Sequence, residues 1–98
     1  MTPEIVDDER AGRLTSVVDG SRAELVYRRD GNRLVLVHTE VPDDLEGRGI
    51  GGALVTAGID KAEALGLTVV PECPFARGWL ARHPAAAHRV AIEMPDEG

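Results

Sequence analysis

A chain of 98 residues, 43% hydrophobic and 29% charged, is enough for one soluble domain and too short for two, because a core of this size closes once. Eleven Lys and Arg stand against seventeen Asp and Glu, a formal charge of −6, so no global basic field gathers nucleic-acid phosphates. Cys73 is the only cysteine, which excludes an internal disulfide and suits a reducing compartment, and the longest strictly apolar run, Leu34 to Val37, is far short of the ~20 residues of a membrane helix. With neither a basic region nor an apolar stretch at its start, the sequence reads as a cytoplasmic protein with no nucleic acid or membrane among its partners.

Residues 1–12 mix acids with Ala11 and Gly12 and show little periodicity; they are expected to be mobile or an edge segment, with order starting near Arg13. Arg13–Val18 and Ala23–Arg29 are β-favouring runs around Asp19-Gly20-Ser21, a tight-hairpin sequence. In the second run Ala23, Leu25 and Tyr27 share one face and Glu24, Val26 and Arg28 the other. After a turn at Asp30-Gly31-Asn32, Arg33–Thr39 completes an antiparallel meander. Leu34–Val37 is apolar on both faces, which predicts a central strand covered by helices on both sides.

A connection over 41–48 leads to a helix at Gly49–Leu65, with Thr56, Asp60 and Glu63 as a narrow polar stripe and Ile50, Leu54, Val55, Ile59, Ala62 and Leu65 turned inward. Gly66 suits a left-handed cap, Leu67–Val70 forms a further internal strand, and Pro71 stops it. Cys73 is the expected N-cap of a short helix from Pro74 to Arg82, whose Phe75, Trp79 and Leu80 are assigned to the core under the sheet. Pro84 ends that helix, His88–Glu93 is expected to add a last strand, and 94–98 forms an acidic, mobile tail.

The most informative stretch is Glu46-Gly47-Arg48-Gly49-Ile50-Gly51-Gly52, between a buried strand and a long helix. Without Cβ atoms this backbone can be approached closely, and the free N–H groups of the first helical turn then face an incoming anion, with diphosphate the obvious guest. The alternative is that the glycines only permit a sharp turn and close helix packing. A nucleoside-triphosphate loop would require Lys then Ser or Thr after the last glycine, and Ala53 and Leu54 follow Gly52 instead. Gly47, Gly49 and Gly52 satisfy G-x-G-x-x-G with Glu72 about 20 residues on, but Val41 to Glu46 separate the glycines from the strand and no second βαβ half fits; a dinucleotide oxidoreductase is thereby a minor alternative.

The run from Val41 to Leu54 closely resembles the acetyl-CoA signature of the GNAT acetyltransferase superfamily: Arg or Gln, two residues, Gly, any residue, Gly or Ala. Gly49 and Gly51 match it, whereas Glu46 stands where the superfamily has Arg or Gln, with Arg48 a candidate to compensate. His38 to Pro42, Pro71 to Phe75 and Arg82 to Pro84 make the chain similar to the short single-domain GNAT-like proteins, over roughly residues 13–90. The resemblance implies an α+β fold: a single domain with a mixed, mostly antiparallel sheet and a splayed parallel strand pair, covered by one long and one short helix. It implies acetyl-CoA as co-substrate and an amine as acceptor. The diphosphate would rest on the N–H groups from Arg48 through Gly49, Ile50 and Gly51 to Gly52, and the pantetheine would pair with backbone around Thr39 to Val41.

Three side chains are candidates for the chemistry. Cys73, at a helix start with Arg77 one turn on, is either a nucleophile or an inert apolar filler. His38 and Glu40, two residues apart at the expected mouth of the cleft, are candidates for taking the proton of an attacking amine, His38 being better suited to neutral pH; a hydrogen-bonded strand-end histidine and a solvated carboxylate are the alternatives. The only tyrosine, Tyr27, lies mid-strand, so the tyrosine acid of many GNAT enzymes has no counterpart. Cys73 to Ile92 carries Arg77, Arg82, His83, His88 and Arg89 with no acid; Arg77 is a candidate for a cofactor phosphate, against a merely solvated basic face. No metal site is expected. The leading expectation is an acetyl-CoA-dependent N-acetyltransferase, by direct attack or through Cys73, and the rival is a non-catalytic coenzyme A-binding or regulatory protein.

Overall fold

Asp19 and Gly20 both take positive φ, 51° and 79°, the pair of left-handed residues that a two-residue hairpin turn needs to match the twist of its strands. They join β2 (Arg13–Val18) to β3 (Ser21–Asp30), and the turn at Gly31 joins β3 to β4 (Arg33–Glu40). In this computed structural model, which describes residues 3–95, the chain continues through a 3₁₀ turn (Asp43–Leu45), α1 (Ile50–Leu65), β5 (Thr68–Pro71), α2 (Pro74–Arg82) and α3 (Pro84–Ala87). A short β1 (Val6–Asp8) precedes the meander. The sheet order is β1-β2-β3-β4-β5, antiparallel except for the parallel β4–β5 pair. This is the mixed α+β architecture expected from the sequence.

One sheet face holds the core. Leu14, Ala23, Leu25, Tyr27, Leu34, Leu36 and Val69 are buried there, and α1 packs on them with Leu54, Val55, Ile59 and Ala62. Gly58 lets the helix approach closely: a Cβ there would lie 3.4 Å from Leu36. Leu34 and Leu36 are fully buried, each stabilising the fold by about 2 kcal/mol. Gly66, at φ 68°, ends α1 as expected, with Leu67 N–H donating to Ala62 O at 2.8 Å and Gly66 N–H to Glu63 O at 3.4 Å.

Several expectations are corrected. Among the described residues the opposite sheet face carries no helix. Its apolar Val35 and Val70 are covered instead by long charged side chains, the pairs Arg28–Glu72 (3.4 Å) and Arg33–Glu93 (3.1 Å), whose aliphatic stems shield what the heads leave open. Order begins before Arg13. Asp7 accepts from Tyr27 OH at 2.5 Å and from Lys61 Nζ at 2.8 Å, and Glu9 accepts from Lys61 at 3.0 Å, which ties β1 to the sheet and α1. Leu65 is exposed. α3 occupies Pro84–Ala87, so α1 and α2 are joined by a third helix, and the last strand reduces to one parallel bridge, Val69 with Ile92. Residues 94 and 95 belong to the described chain, while 1–2 and 96–98 of the segments expected to be mobile lie outside the described residues.

Candidate active site

The site begins where β4 and β5 part. Their parallel pairing runs from Arg33↔Thr68 to Leu36↔Pro71, and the last link is Cys73 N–H to Leu36 O at 3.0 Å. Beyond it β5 turns away into α2, while β4 continues to Glu40, leaving the β5-facing edge of its last residues open.

A bulge decides which side chains face which way. Tyr27 pairs with Leu36 but Val26 pairs with His38, so Val37 is the extra residue on β4 and the alternation reverses there. Thr39, opposite Leu25, consequently joins the helix-covered face. His38 and Glu40, opposite Val26 and Glu24, stand on the open face, both well exposed, with Nε2 and Oε2 4.0 Å apart. The structure therefore keeps His38 and Glu40 together and separates them from Cys73 by the sheet itself.

On the covered side lies a cleft of about 710 Å³ lined by Thr39, Val41, Leu45, Glu46, Gly47, Gly49, Ile50, Gly51, Gly52, Phe75 and Trp79. Its floor is the start of α1. Gly49, the N-cap at φ 77°, offers no side-chain cap, and the first intrahelical bond is Ala53 N–H to Gly49 O at 3.0 Å. The amides of Gly49, Ile50, Gly51 and Gly52 are thus the four donors that a helix start leaves without an internal partner. No acid sits in the first turn to compete for them.

The other wall is aromatic: Phe75 and Trp79, expected in the core under the sheet, line the cleft instead. Phe75 is 40% exposed and Trp79 is half-buried; a Cβ on Gly51 would lie 2.6 Å from the Phe75 ring, and one on Gly52 2.6 Å from Trp79 Nε1. These two glycines are small because rings lie directly over them. The complementary spacing, two glycines facing aromatics one helical turn apart, is the signal that could have placed Phe75 and Trp79 at the site. Ala76 and Leu80 supply the buried side of α2.

The remaining candidates fall outside this lining. Arg48 Nη1 holds Asp19 Oδ2 at 2.9 Å, so its guanidinium is engaged by the β2–β3 turn. Arg77 follows Cys73 on α2, its N–H donating to Cys73 O at 3.1 Å. Cys73 is 3% exposed, and its thiol donates to Thr39 Oγ1 at 3.2 Å, behind the cleft wall. Tyr27 is engaged by Asp7 at the other end of the sheet; burial first, and then the Asp7 carboxylate, push its phenol up to about 12. Among the described residues no cluster suited to a metal ion occurs, and no helix is long and apolar enough to cross a membrane.

The family model for the GCN5-related N-acetyltransferases matches residues 13–90. The chain belongs to that family. Its fold is similar to the NMR solution structure of a GCN5-like protein from Staphylococcus aureus, itself assigned only provisionally as an N-acetyltransferase. The two share 26% sequence identity at a TM-score of 0.73, over 98% of this chain and 93% of the other. No curated protein matches the sequence. Among the described residues the cleft lining carries no Lys or Arg, and it includes Glu46.

Proposed function

We propose that this family member transfers an acetyl group from acetyl-CoA to an amine. The observation that carries the reading is the set of four unpartnered amides, Gly49 to Gly52, at an uncapped helix start inside a cleft that opens onto the gap between β4 and β5. Acetyl-CoA supplies an activated thioester carbonyl. The amides hold its diphosphate, Val41 and Ile50 flank it, and the open edge of β4 around Thr39 to Val41 pairs with the pantetheine amides. Arg48 and Arg77 are not needed for this grip, since neither lines the cleft.

The bulge gives the two partners separate entrances. With the cofactor held on the helix-covered side, the amine arrives from the open face, where His38 and Glu40 stand. There His38 accepts the amine proton, directly or through water, as nitrogen bonds to the carbonyl carbon and the carbon–sulfur bond breaks. Glu40, 4.0 Å from His38, attracts a cationic acceptor. Direct attack is favoured over a covalent route because Cys73 is buried and its thiol is bonded to Thr39. Intact mass after acetyl-CoA treatment separates the routes: an added acetyl group lost in Cys73→Ala establishes the covalent one.

One observation favours the non-catalytic alternative. The sole tyrosine is held by Asp7, so no phenol faces the gap to protonate the departing thiolate. Calorimetric titration with coenzyme A, run beside thiol release from acetyl-CoA across a panel of amines and proteins, decides between them. Binding with release supports the transferase, binding without release across the panel supports the regulatory protein, and no binding removes both.

A further inference from the structure

The aromatic wall carries a hydrogen-bond donor that the fold does not use. Trp79 is held on two sides. Its ring stacks on His83 with centroids 4.0 Å apart and planes 13° from parallel, and its Nε1 edge abuts Gly52, 2.6 Å from where a Cβ would stand. His83 is itself anchored, its Nδ1 lying 2.8 Å from Trp79 O, and a carbonyl can only accept, so the ring nitrogen donates. The indole is therefore fixed with Nε1 against the first turn of α1, and among the described residues its N–H meets no acceptor.

Two independent sets of idle donors converge at one place: the backbone amides of the helix start and the indole N–H beside them. Among the described residues no cation lines the cleft to neutralise an anion, and Glu46 stands where the signature has Arg or Gln. Phe75, over Gly51, walls the same turn from water, which strengthens a hydrogen bond made there. We infer that Trp79 is a diphosphate-binding residue, its Nε1–H donating to the same diphosphate oxygens as the amides of Gly49 to Gly52, with His83 as its positioning residue. This rests on the acetyl-CoA reading above and replaces, in this chain, the donor missing at position 46.

The test compares wild type with Trp79→Phe, which keeps a ring and removes the N–H, using coenzyme A, 3′-dephospho-coenzyme A and pantetheine as probes in calorimetric titrations. A charge-assisted hydrogen bond predicts a loss of roughly tenfold for the first two, equal within error, and none for pantetheine. As the only tryptophan, Trp79 also reports directly: wild-type fluorescence changes with both nucleotides and is insensitive to pantetheine. Gly52→Ala, whose Cβ displaces Nε1, repeats the selective loss, and His83→Ala gives a partial one. Unchanged affinity in Trp79→Phe, a loss confined to the 3′-phosphorylated probe, or an equal loss for pantetheine each overturns the inference and leaves the acetyl-CoA reading intact. A wild type that binds none of the three overturns both.

Discussion

Gly12→Ala should be among the most damaging single-methyl additions in this chain, and it acts on the scaffold rather than on the cleft. Gly12 has φ 69°, and a Cβ there would sit 2.7 Å from the Tyr27 carbonyl oxygen, while Tyr27 N–H donates to Gly12 O at 2.9 Å. The left-handed backbone costs an alanine about 1–2 kcal/mol. The clash adds roughly 1–3 kcal/mol, because the atom that must yield is backbone of β3, bonded to strands on both sides. Reduced freedom of the unfolded chain returns only about 0.4–1 kcal/mol. The net is a loss of about 1–5 kcal/mol, which for a chain of this size lowers Tm by at least about 4 °C. Thermal unfolding followed by circular dichroism measures it. Tyr27 also adjoins the bulge that sends Thr39 inward and His38 outward, so the variant is expected to lose activity with temperature earlier than it loses helix signal. A Gly12→Ala protein melting within about 3 °C of wild type would refute the steric argument.

Tyr27 is the only tyrosine, so its ionisation is read from ultraviolet absorbance without interference. Its midpoint should lie near pH 12 in the folded protein and near 10 in urea. A pKa raised by folding contributes stability that is complete below the unfolded value and lost as pH climbs through the folded one, so stability falls between about pH 10 and 12. Tyr27→Phe removes that part of the pH dependence. Lys61, which burial pushes down but whose bonds to Asp7 and Glu9 hold it above the ordinary lysine range, loses stability in the same direction, so Lys61→Met flattens the remaining alkaline slope. Cys73 should react with a chromogenic disulfide reagent at least about tenfold more slowly in the folded protein than in urea, and rapid reaction of the native thiol would restore the covalent route.

The meander, the central strand and α1 are legible in the sequence because each is specified locally: Asp19-Gly20 by turn chemistry, Leu34 to Val37 by composition, and Gly66 by its cap. β1 is not. Val6, Asp7 and Asp8 are all exposed and carry no alternation, and their order comes from Tyr27 and Lys61, which are remote in sequence. The faces of β4 are equally hidden, because Arg33 to Glu40 alternates acceptably in either register and only the pairing with β3 reveals the extra residue at Val37. A strict alternation would have put Thr39 opposite in sense to where it is found. Phe75 and Trp79 have ordinary core spacing, and what turns them toward the cleft is the absence of side chains on Gly51 and Gly52, a property of the helix they face. Apolar composition on both faces of β4 predicted a second helical layer, and the arginine stems of the open face do that work instead.

The same cleft makes an electrostatic claim that runs against the usual expectation for nucleotide sites. A ligand carrying several negative charges meets a chain of net charge −6, in a cleft where Glu46 is the only ionisable lining residue among those described. Attraction must then come from fixed dipoles at contact distance, which salt screens little, while the long-range repulsion is screened strongly. Coenzyme A affinity should accordingly hold or rise as sodium chloride is raised from about 20 to 200 mM, where a lysine-clamped site would weaken. Glu46→Gln, which installs a residue of the family signature, removes one repulsive charge. At a separation of about 8 Å and an effective dielectric near 20 that repulsion is about 2 kcal/mol, roughly halved by the exposure of Glu46. The variant should bind coenzyme A about fivefold more tightly at low salt, with the gain shrinking as salt is added. An unchanged affinity, or a gain indifferent to ionic strength, would place the diphosphate away from this helix start.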